Sequence, residues 1–540
     1  KTRDACYIKR KGATMAELNL TSSIYSFEQM RETGYLYVDK TEYIWNLIRL
    51  DGGMYFLSRP RRFGKSLAVS TLKALFEGKK ELFKGLSVYN KPYDWKPYPV
   101  IHLSMTGRRF DTLENLQHSL QEILLEQARG LNVALERTDP VTMFQKLIET
   151  LSQSGRIVVL LDEYDKPILD NIAEGFTQDF VRAMKSFYSV IKDKARDLRF
   201  VFVTGVSKFC HVSLFSDLNN LADITVDSRY ATMFGYTQEE LERYFGDRIR
   251  NAAGKLEMTE AALKEKLKVW YDGFRFAASA EGVYNPVSIA RFFERGGEFD
   301  NYWFSTGTPS FLMKLARETD FDFERVLDNP VTMDAFSAYE IDKIDPLLLL
   351  VQTGYLTIKS SVEDFGMRLY KLDFPNREVA SSFRSYLLNA YTPYTTEEVN
   401  FNILALARSI RSGDVDAFMN VWKNWMAKIP YDIQLRHEKY YQTIFYMMFT
   451  SLQGIINEAE CRTNSGRIDA VVGCGEWLYI VEFKLDKSPE VALEQIKKNE
   501  YFVRYQNCGK RIVLIGANVD FENRRLTGWK HEEVCGFSRA

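Results

Sequence analysis

The chain has 540 residues, 46% hydrophobic and 26% charged, with 71 Lys+Arg against 72 Asp+Glu and a formal charge of −1. That balance belongs to an ordinary folded chain of about three or four domains, and it excludes disordered, collagen-like and low-complexity polymers. It also excludes a global basic field for nucleic acid, and the apolar runs Ile157–Leu161 and Leu347–Val351 are far shorter than the ~20 residues of a membrane helix.

From about residue 50 to 228, apolar runs rich in β-formers alternate with amphipathic segments, which predicts a parallel sheet with helices packed on it. Met54–Leu57 reads as a strand, followed by a turn and a helix over Lys65–Phe76. Val100–Met105 is a second strand. Leu113, Leu116, Leu120, Ile123 and Leu124 are spaced for a helix over 112–131, and another covers 141–153. Ile157–Leu161 is a wholly apolar strand; a helix over 177–195 leads to the strand Phe200–Val203, and Ile224–Val226 is a candidate fifth. From 236 to 430 the pattern becomes mainly helical, punctuated by Trp270-Tyr271-Asp272-Gly273-Phe274, Asn301-Tyr302-Trp303 and Gly354-Tyr355-Leu356; these aromatics read as core. The last stretch predicts a helix over 436–452, strands near 467–473 and 477–484, a helix capped by Ser488 with Pro489 first, and the strand Arg511–Ile515. The expected division is therefore an α/β phosphate-binding domain over 15–235, a helical middle over 236–430 and a small α/β domain over 431–540. Residues 1–14 are basic but lack an apolar signal core, and are expected to be an extension ahead of Met15.

The six cysteines and five histidines do not cluster, so neither a disulfide framework nor a zinc site is expected, and a reducing cytoplasm fits best.

The segment Arg59-Pro60-Arg61-Arg62-Phe63-Gly64-Lys65-Ser66 lies between a strand and a helix. Backbone N–H groups at a helix N-terminus cradle phosphates, a lysine reaches the outer ones and a hydroxyl meets Mg²⁺. Gly64, Lys65 and Ser66 supply these, but Arg59 stands where GxxxxGK[ST] has its first glycine, and a basic surface loop would look similar. Asp162-Glu163 ends the apolar strand, the first acid placed to hold Mg²⁺ and the second to polarise water. Thr204-Gly205-Val206-Ser207 ends the next strand, where a polar group can sense the γ-phosphate. All three motifs fall at carboxyl ends of strands, where such sheets bind ligands.

With Val38-Asp39-Lys40-Thr41, the Arg59–Ser66 loop, Leu161–Pro167, Thr204–Ser207, Phe215–Asn220, Tyr284-Asn285-Pro286, Ser305–Pro309 and Gln352–Leu356, the chain resembles the AAA-ATPase-like proteins of bacteria and archaea. The resemblance covers nearly everything after Met15, and Arg59 is an ordinary residue within that family. It implies ATP bound by Gly64, Lys65 and Ser66, with Asp162 and Glu163 as the Mg²⁺-holding and water-activating acids, and a nuclease-like domain at the C-terminus.

In that last domain, Gly466-Arg467-Ile468-Asp469 precedes Glu482-Phe483-Lys484. Strand alternation points Glu482 and Lys484 to one side and Val481 and Phe483 to the other. Asp469, on the preceding strand, completes two carboxylates able to share Mg²⁺ or Mn²⁺, with Lys484 to orient water or stabilise developing charge. The set resembles the D…ExK core of the PD-(D/E)XK nuclease superfamily, Gln495 resembles the glutamine of one of its branches, and Glu438 is a further candidate carboxylate. An ExK on a solvated strand edge is the plainer alternative, and basic and acidic residues balance from Glu458 to Ala540, so a duplex surface would need local Lys and Arg. The expectation is an ATPase controlling a metal-dependent nuclease, with DNA as partner, RNA left open, and homo-oligomerisation allowed. The alternatives are an ATP-switched nucleic-acid-binding protein and a signalling or defence scaffold.

Overall fold

The computed structural model describes residues 18–171, 177–208, 214–215, 220–303, 330–332, 346–391, 395–427, 455–463, 466–506, 508–520 and 525–534. Residues 1–14, the motifs Ser305–Pro309 and most of Phe215–Asn220, the helix expected over 436–452 and Glu438 within it lie outside them. Two compact units divide the chain, Lys1–Val379 and Ala380–Ala540.

The first unit is built on a five-stranded sheet: β1 (Gly53–Ser58), β2 (Val100–Ser104), β3 (Ile157–Asp162), β4 (Leu198–Gly205) and the short β5 (Ala222–Asp223). Their order is β2-β3-β4-β1-β5, and every pairing is parallel. Helices cover the sheet, so its strands read as continuous apolar runs; all six residues of β3 and all eight of β4 are buried. Register levels the three central carboxyl ends, with Ser58 opposite Gly205 and Asp162 opposite Thr204. The fifth strand lies two residues earlier than the Ile224–Val226 run. Asp223 pairs with Phe56, and its carboxylate then accepts the Thr225 N–H, turning the chain out of the sheet.

This half has the helices α1 (Phe27–Thr33), α2 (Thr41–Ile48), α3 (Lys65–Phe76), α4 (Leu113–Gly130), α5 (Pro140–Ser152), the single turn α6 (Lys166–Leu169) and α7 (Thr177–Asp193); α3, α4, α5 and α7 were expected from the sequence, and α1, α2 and α6 were not. The next three, α8 (Gln238–Lys255), α9 (Glu260–Tyr271) and α10 (Pro286–Glu294), gather Leu241, Phe245, Leu263, Tyr271 and Phe292 into a core that also takes in Leu36 and Val38. Packing therefore runs across the 235/236 boundary expected from the sequence. The Val38-Asp39-Lys40-Thr41 motif fastens that junction. Asp39 accepts the Thr41 N–H at the start of α2 and the Ser87 N–H, while Lys40 reaches the Thr232 carbonyl and the Glu240 carboxylate at the start of α8. The unit continues through α11 (Pro346–Gln352) and a three-stranded sheet of β6 (Val331–Thr332), β7 (Thr357–Asp364) and β8 (Met367–Asp373).

The second unit contains α13 (Thr396–Ser412) and α14 (Val415–Ala427), which follow α12 (Arg377–Tyr391). Its sheet is β9 (Ile455–Thr463), β10 (Gly466–Cys474), β11 (Trp477–Leu485), β12 (Arg511–Asp520) and β13 (Arg525–Glu533), with α15 (Pro489–Lys498) between β11 and β12. The order is β13-β12-β11-β10-β9, parallel only between β11 and β12, so the sheet is mixed. The sequence predicted its three middle strands and missed the two edges. Ser488 occupies the N-cap of α15 without a side-chain bond to the helix amides, which leaves Pro489 at the first position as the start signal. No helix among the described residues is long and apolar enough to cross a membrane.

Candidate active sites

Between β1 and α3 the chain makes a tight loop that ends at Gly64, whose φ of 91° is left-handed and whose missing Cβ faces open space. Only glycine adopts that backbone without strain, and it turns the first amides of α3 toward the loop's hollow. Lys65 is buried, and its ammonium spans the loop to the carbonyls of Arg59 and Pro60 at 2.9 and 2.8 Å. Burial pushes its pKa down to about 8 against the opposing pull of Asp162, Glu163 and Asp165. Arg61 is exposed, and Arg62, at φ 68°, rests on the ring and hydroxyl of Tyr25.

Arg59 has a role the sequence did not reveal. Its side chain points away from the hollow, wholly buried, donating to the carbonyls of Ser58, Thr225 and Tyr230 and lying 4.3 Å from the Phe276 ring centre. A guanidinium held through its two terminal nitrogens by three carbonyls and by an aromatic face, its buried Nε without a partner, replaces the missing glycine's freedom with a fixed anchor at the end of β1.

Level with the loop, Asp162 ends β3 almost fully buried. Its carboxyl is paired with the Ser66 hydroxyl, its Oδ1 has no hydrogen-bond partner, and burial raises its pKa to about 6. A buried carboxylate oxygen without a donor, beside a hydroxyl and within the field of a lysine, is the donor set a Mg²⁺ ion would complete. Glu163 stands at φ 55°, and Thr106 donates to its Oε2 at 3.1 Å. Thr204 is not presented to the loop; its hydroxyl donates to the Leu57 carbonyl at 2.8 Å, and the residue is fully buried.

The aromatic and glycine motifs of the helical segment meet the loop from behind. Trp303 donates its indole N–H to the Arg61 carbonyl at 3.0 Å. Phe63 sits edge-on to Phe274 and Phe276, 4.8 and 5.3 Å between centres. A Cβ on Gly354 would come within 2.6 Å of the Pro60 ring, so the Gln352–Leu356 motif owes its glycine to close approach as well as to a φ of 87°. Trp303 is fixed in turn by Glu378, which accepts its backbone N–H at 2.5 Å and the Ser288 hydroxyl at 2.7 Å. Sequence reading classed these aromatics as core, and it missed that the core they make is the seat of the phosphate loop.

Beside Gly64 opens a half-open cleft lined mainly by apolar groups, among them Leu36, Val38, Phe63, Leu67, Ala68 and Tyr236. Its lining takes in Gly64 before Lys65 and Leu67 after Ser66, so it adjoins the amides of that loop.

In the second unit, alternation along β11 gives each face its own partner. Leu478 and Ile480 pack with Leu493 and Ile496 of α15, while Tyr479 and Phe483 meet Phe418 and Trp422 of α14 at 5.9 and 5.1 Å. Glu482 and Lys484 share the α15 side, as does Asp469, two residues before Val471 on β10. The residue opposite Glu482 on β12 is Gly516, where a Cβ would strike the Pro489 carbonyl at 2.2 Å. That notch lets α15 lie against the sheet and brings Gln495 onto Glu482 Oε1, which also takes the Lys484 ammonium at 2.7 Å. Asp469 Oδ2 accepts the Phe483 N–H at 2.7 Å. The strand is therefore covered on both faces, and Glu482 is 1% exposed rather than on a solvated edge. Asp469 and Glu482 are hard oxygen donors of the kind Mg²⁺ or Mn²⁺ takes. No group of three or more metal-ligating side chains forms among the described residues.

Comparison with known proteins agrees with this division. The family described as "Predicted AAA-ATPase" matches residues 22–215, and the PD-(D/E)XK nuclease superfamily matches 436–529. An "Uncharacterized protein in vnfD 5'region" of Azotobacter chroococcum mcd 1 is 36% identical over 534 residues, which are 96% of this chain and all of that protein. No solved structure matches. The chain belongs to the AAA-ATPase-like family of proteins that carry a PD-(D/E)XK nuclease superfamily domain at the C-terminus.

Proposed function

We propose that the protein binds and hydrolyses ATP at the Arg59–Ser66 loop and that nucleotide state controls a metal-dependent nuclease centred on Asp469, Glu482 and Lys484. The observation that carries the ATP reading is the buried Asp162 Oδ1, left without a donor beside Ser66 and within the field of Lys65. Backbone amides at Gly64–Ser66 would hold the phosphates, Lys65 would leave the loop carbonyls for the outer phosphates, and the adenine ring would enter the apolar cleft. Ser66 and Asp162 would hold Mg²⁺, which neutralises phosphate charge, and Glu163 would orient the attacking water. Loss of ATP binding by at least about 100-fold in a folded Lys65→Ala protein is the expected result; unchanged affinity overturns the assignment.

At the second site, Asp469 and Glu482 would hold Mg²⁺ or Mn²⁺, an ion that activates water and neutralises a phosphodiester oxygen. Cleavage of supercoiled, linear and single-stranded DNA, and of RNA, with and without ATP tests both the chemistry and its control. A second reading, an ATP-switched nucleic-acid-binding protein or scaffold, draws on the engagement of Glu482 Oε1 by both Lys484 and Gln495. Correct folding and ATP binding with no cleavage in any nucleotide state would favour it. A cytoplasmic setting and self-association belong to the same proposal.

A further inference from the structure

The turns that follow β3 and β4 are joined by one buried carboxylate. Asp165 is 1% exposed, and its Oδ2 accepts the N–H groups of Val206 and Ser207 at 3.0 and 2.6 Å and the Ser207 hydroxyl at 2.7 Å. Gly205 makes the approach possible, because a Cβ there would stand 2.4 Å from Asp165 Oδ1 and 2.6 Å from the Tyr164 ring. Tyr164 adds two bonds, its N–H to the Thr204 carbonyl at 3.2 Å and its hydroxyl to the Ser207 carbonyl at 2.8 Å. The chain beyond is held too: the Lys208 N–H donates to Gln352 Oε1 at 2.7 Å, two residues before the glycine that packs on Pro60.

Glu163 lies inside this clasp, two residues before Asp165, in a left-handed conformation that a residue with a Cβ seldom adopts. Such a conformation persists where its surroundings over-determine it. Asp165 itself faces β4 and is sealed from solvent, so it is no candidate for activating water. A buried carboxylate is also an expensive way to tie two turns together, and burial raises its pKa while Lys65 acts in the opposite sense.

We propose that Asp165 is a positioning residue for ATP hydrolysis: by gripping Val206 and Ser207 it fixes the β3 turn against β4 and so sets where Glu163 stands relative to Ser66 and Lys65. The inference rests on the ATPase reading of the loop. It assigns Asp165 no contact with nucleotide, so its loss should be felt in turnover rather than in binding.

The test is Mg²⁺-ATP turnover and ATP affinity of the full chain carrying Asp165→Asn, with melting temperature measured alongside. The expected result is a fall in kcat on the order of 10²-fold, the size of effect a misplacement of about 1 Å produces, with Kd for ATP changed by less than about threefold. Ser207→Ala, which keeps the carboxylate and removes one bond, should lower kcat in the same selective way, and the double variant should lose less than the product of the two. It also supplies the measurement if Asp165→Asn does not fold. Unchanged kcat in either folded variant overturns the positioning role and leaves the ATPase reading standing. Affinity and kcat falling together with stability overturns it in favour of a purely structural clasp. A wild-type protein that binds ATP but releases no phosphate removes the hydrolysis reading and the positioning role with it.

Discussion

The two carboxylate sites bury their acids equally deeply but beside different partners. Asp162 is buried at the end of a parallel strand with one oxygen left without a donor, and burial holds its pKa up to about 6. Glu482 is as deeply buried, yet its Oε1 already receives an ammonium and an amide from Lys484 and Gln495. A cation at the first site would meet the Asp162 carboxyl between the Ser66 hydroxyl and the field of Lys65, whereas at the second it would share Glu482 with an ammonium and an amide already bonded to its Oε1.

The sharpest way to break that contrast is to remove each acid in turn. Asp469→Ala or Glu482→Ala should abolish Mg²⁺- or Mn²⁺-dependent cleavage while ATP hydrolysis stays within about twofold, since the acids lie in different units; Lys484→Ala should slow cleavage without removing the metal. Parallel assays of phosphate release and strand scission read both, and hydrolysis lost together with cleavage would mean the sites are not separate. Next in size, Glu163→Gln should keep ATP affinity but hydrolyse it about 10²–10⁴-fold more slowly. Release at the wild-type rate from that variant removes Glu163 from the mechanism.

The smallest effect is the most diagnostic of how Asp162 is prepared. A carboxyl raised to about 6 by folding favours the free fold while protonated, and that contribution is lost as pH rises through about 6. Metal binding needs the ionised form and runs the other way. Mg²⁺ affinity in the presence of ATP, whose terminal phosphate titrates in the same range, should therefore weaken below about pH 6 more steeply in the wild type than in Asp162→Asn, which also loses most of the affinity. Titration calorimetry between about pH 5 and 8 reads it; a profile no steeper in the wild type would mean that the acid is not held as described.

What could be read from the sequence was whatever is local. Lys65–Phe76 forms a helix with the bounds its apolar spacing predicts, and the fully apolar runs at 157–161 and 200–203 are strands because both faces are covered. The polar strands Ile455–Thr463 and Arg525–Glu533 escaped notice because pairing, not alternation, makes them strands: the first joins β10 over eight residue pairs, and the second lies along β12 at the sheet's edge. Gly64, Lys65, Ser66 and Asp162 were singled out because a loop ahead of a helix and an acid at a strand end stand in a known spacing, and the fold brings the Ser66 hydroxyl to the Asp162 carboxyl. Thr204 was assigned to the phosphate side on the same logic, but its hydroxyl belongs to Leu57. The partners of Arg59 and Arg61, and the grip of Asp165 on Ser207, join residues dozens to hundreds of positions apart, and nothing in a single sequence pairs Trp303 with a carbonyl 242 residues earlier.

Those distant partners bear on how the protein can be dissected. The segment 22–215 that matches the ATPase family contains the nucleotide loop but not Phe274, Phe276, Trp303 or Gly354, which seat it. Excised at that boundary, the fragment would carry the Arg59 guanidinium without the Thr225 and Tyr230 carbonyls that hold it, and Phe63 would face water. A truncation meant to isolate the family-matched segment would thus yield a sheet with an unsupported loop. The smallest piece able to grip a nucleotide is set by the reach of its buttress, so expression boundaries belong beyond the last contact with Pro60, not at the end of the matched family segment.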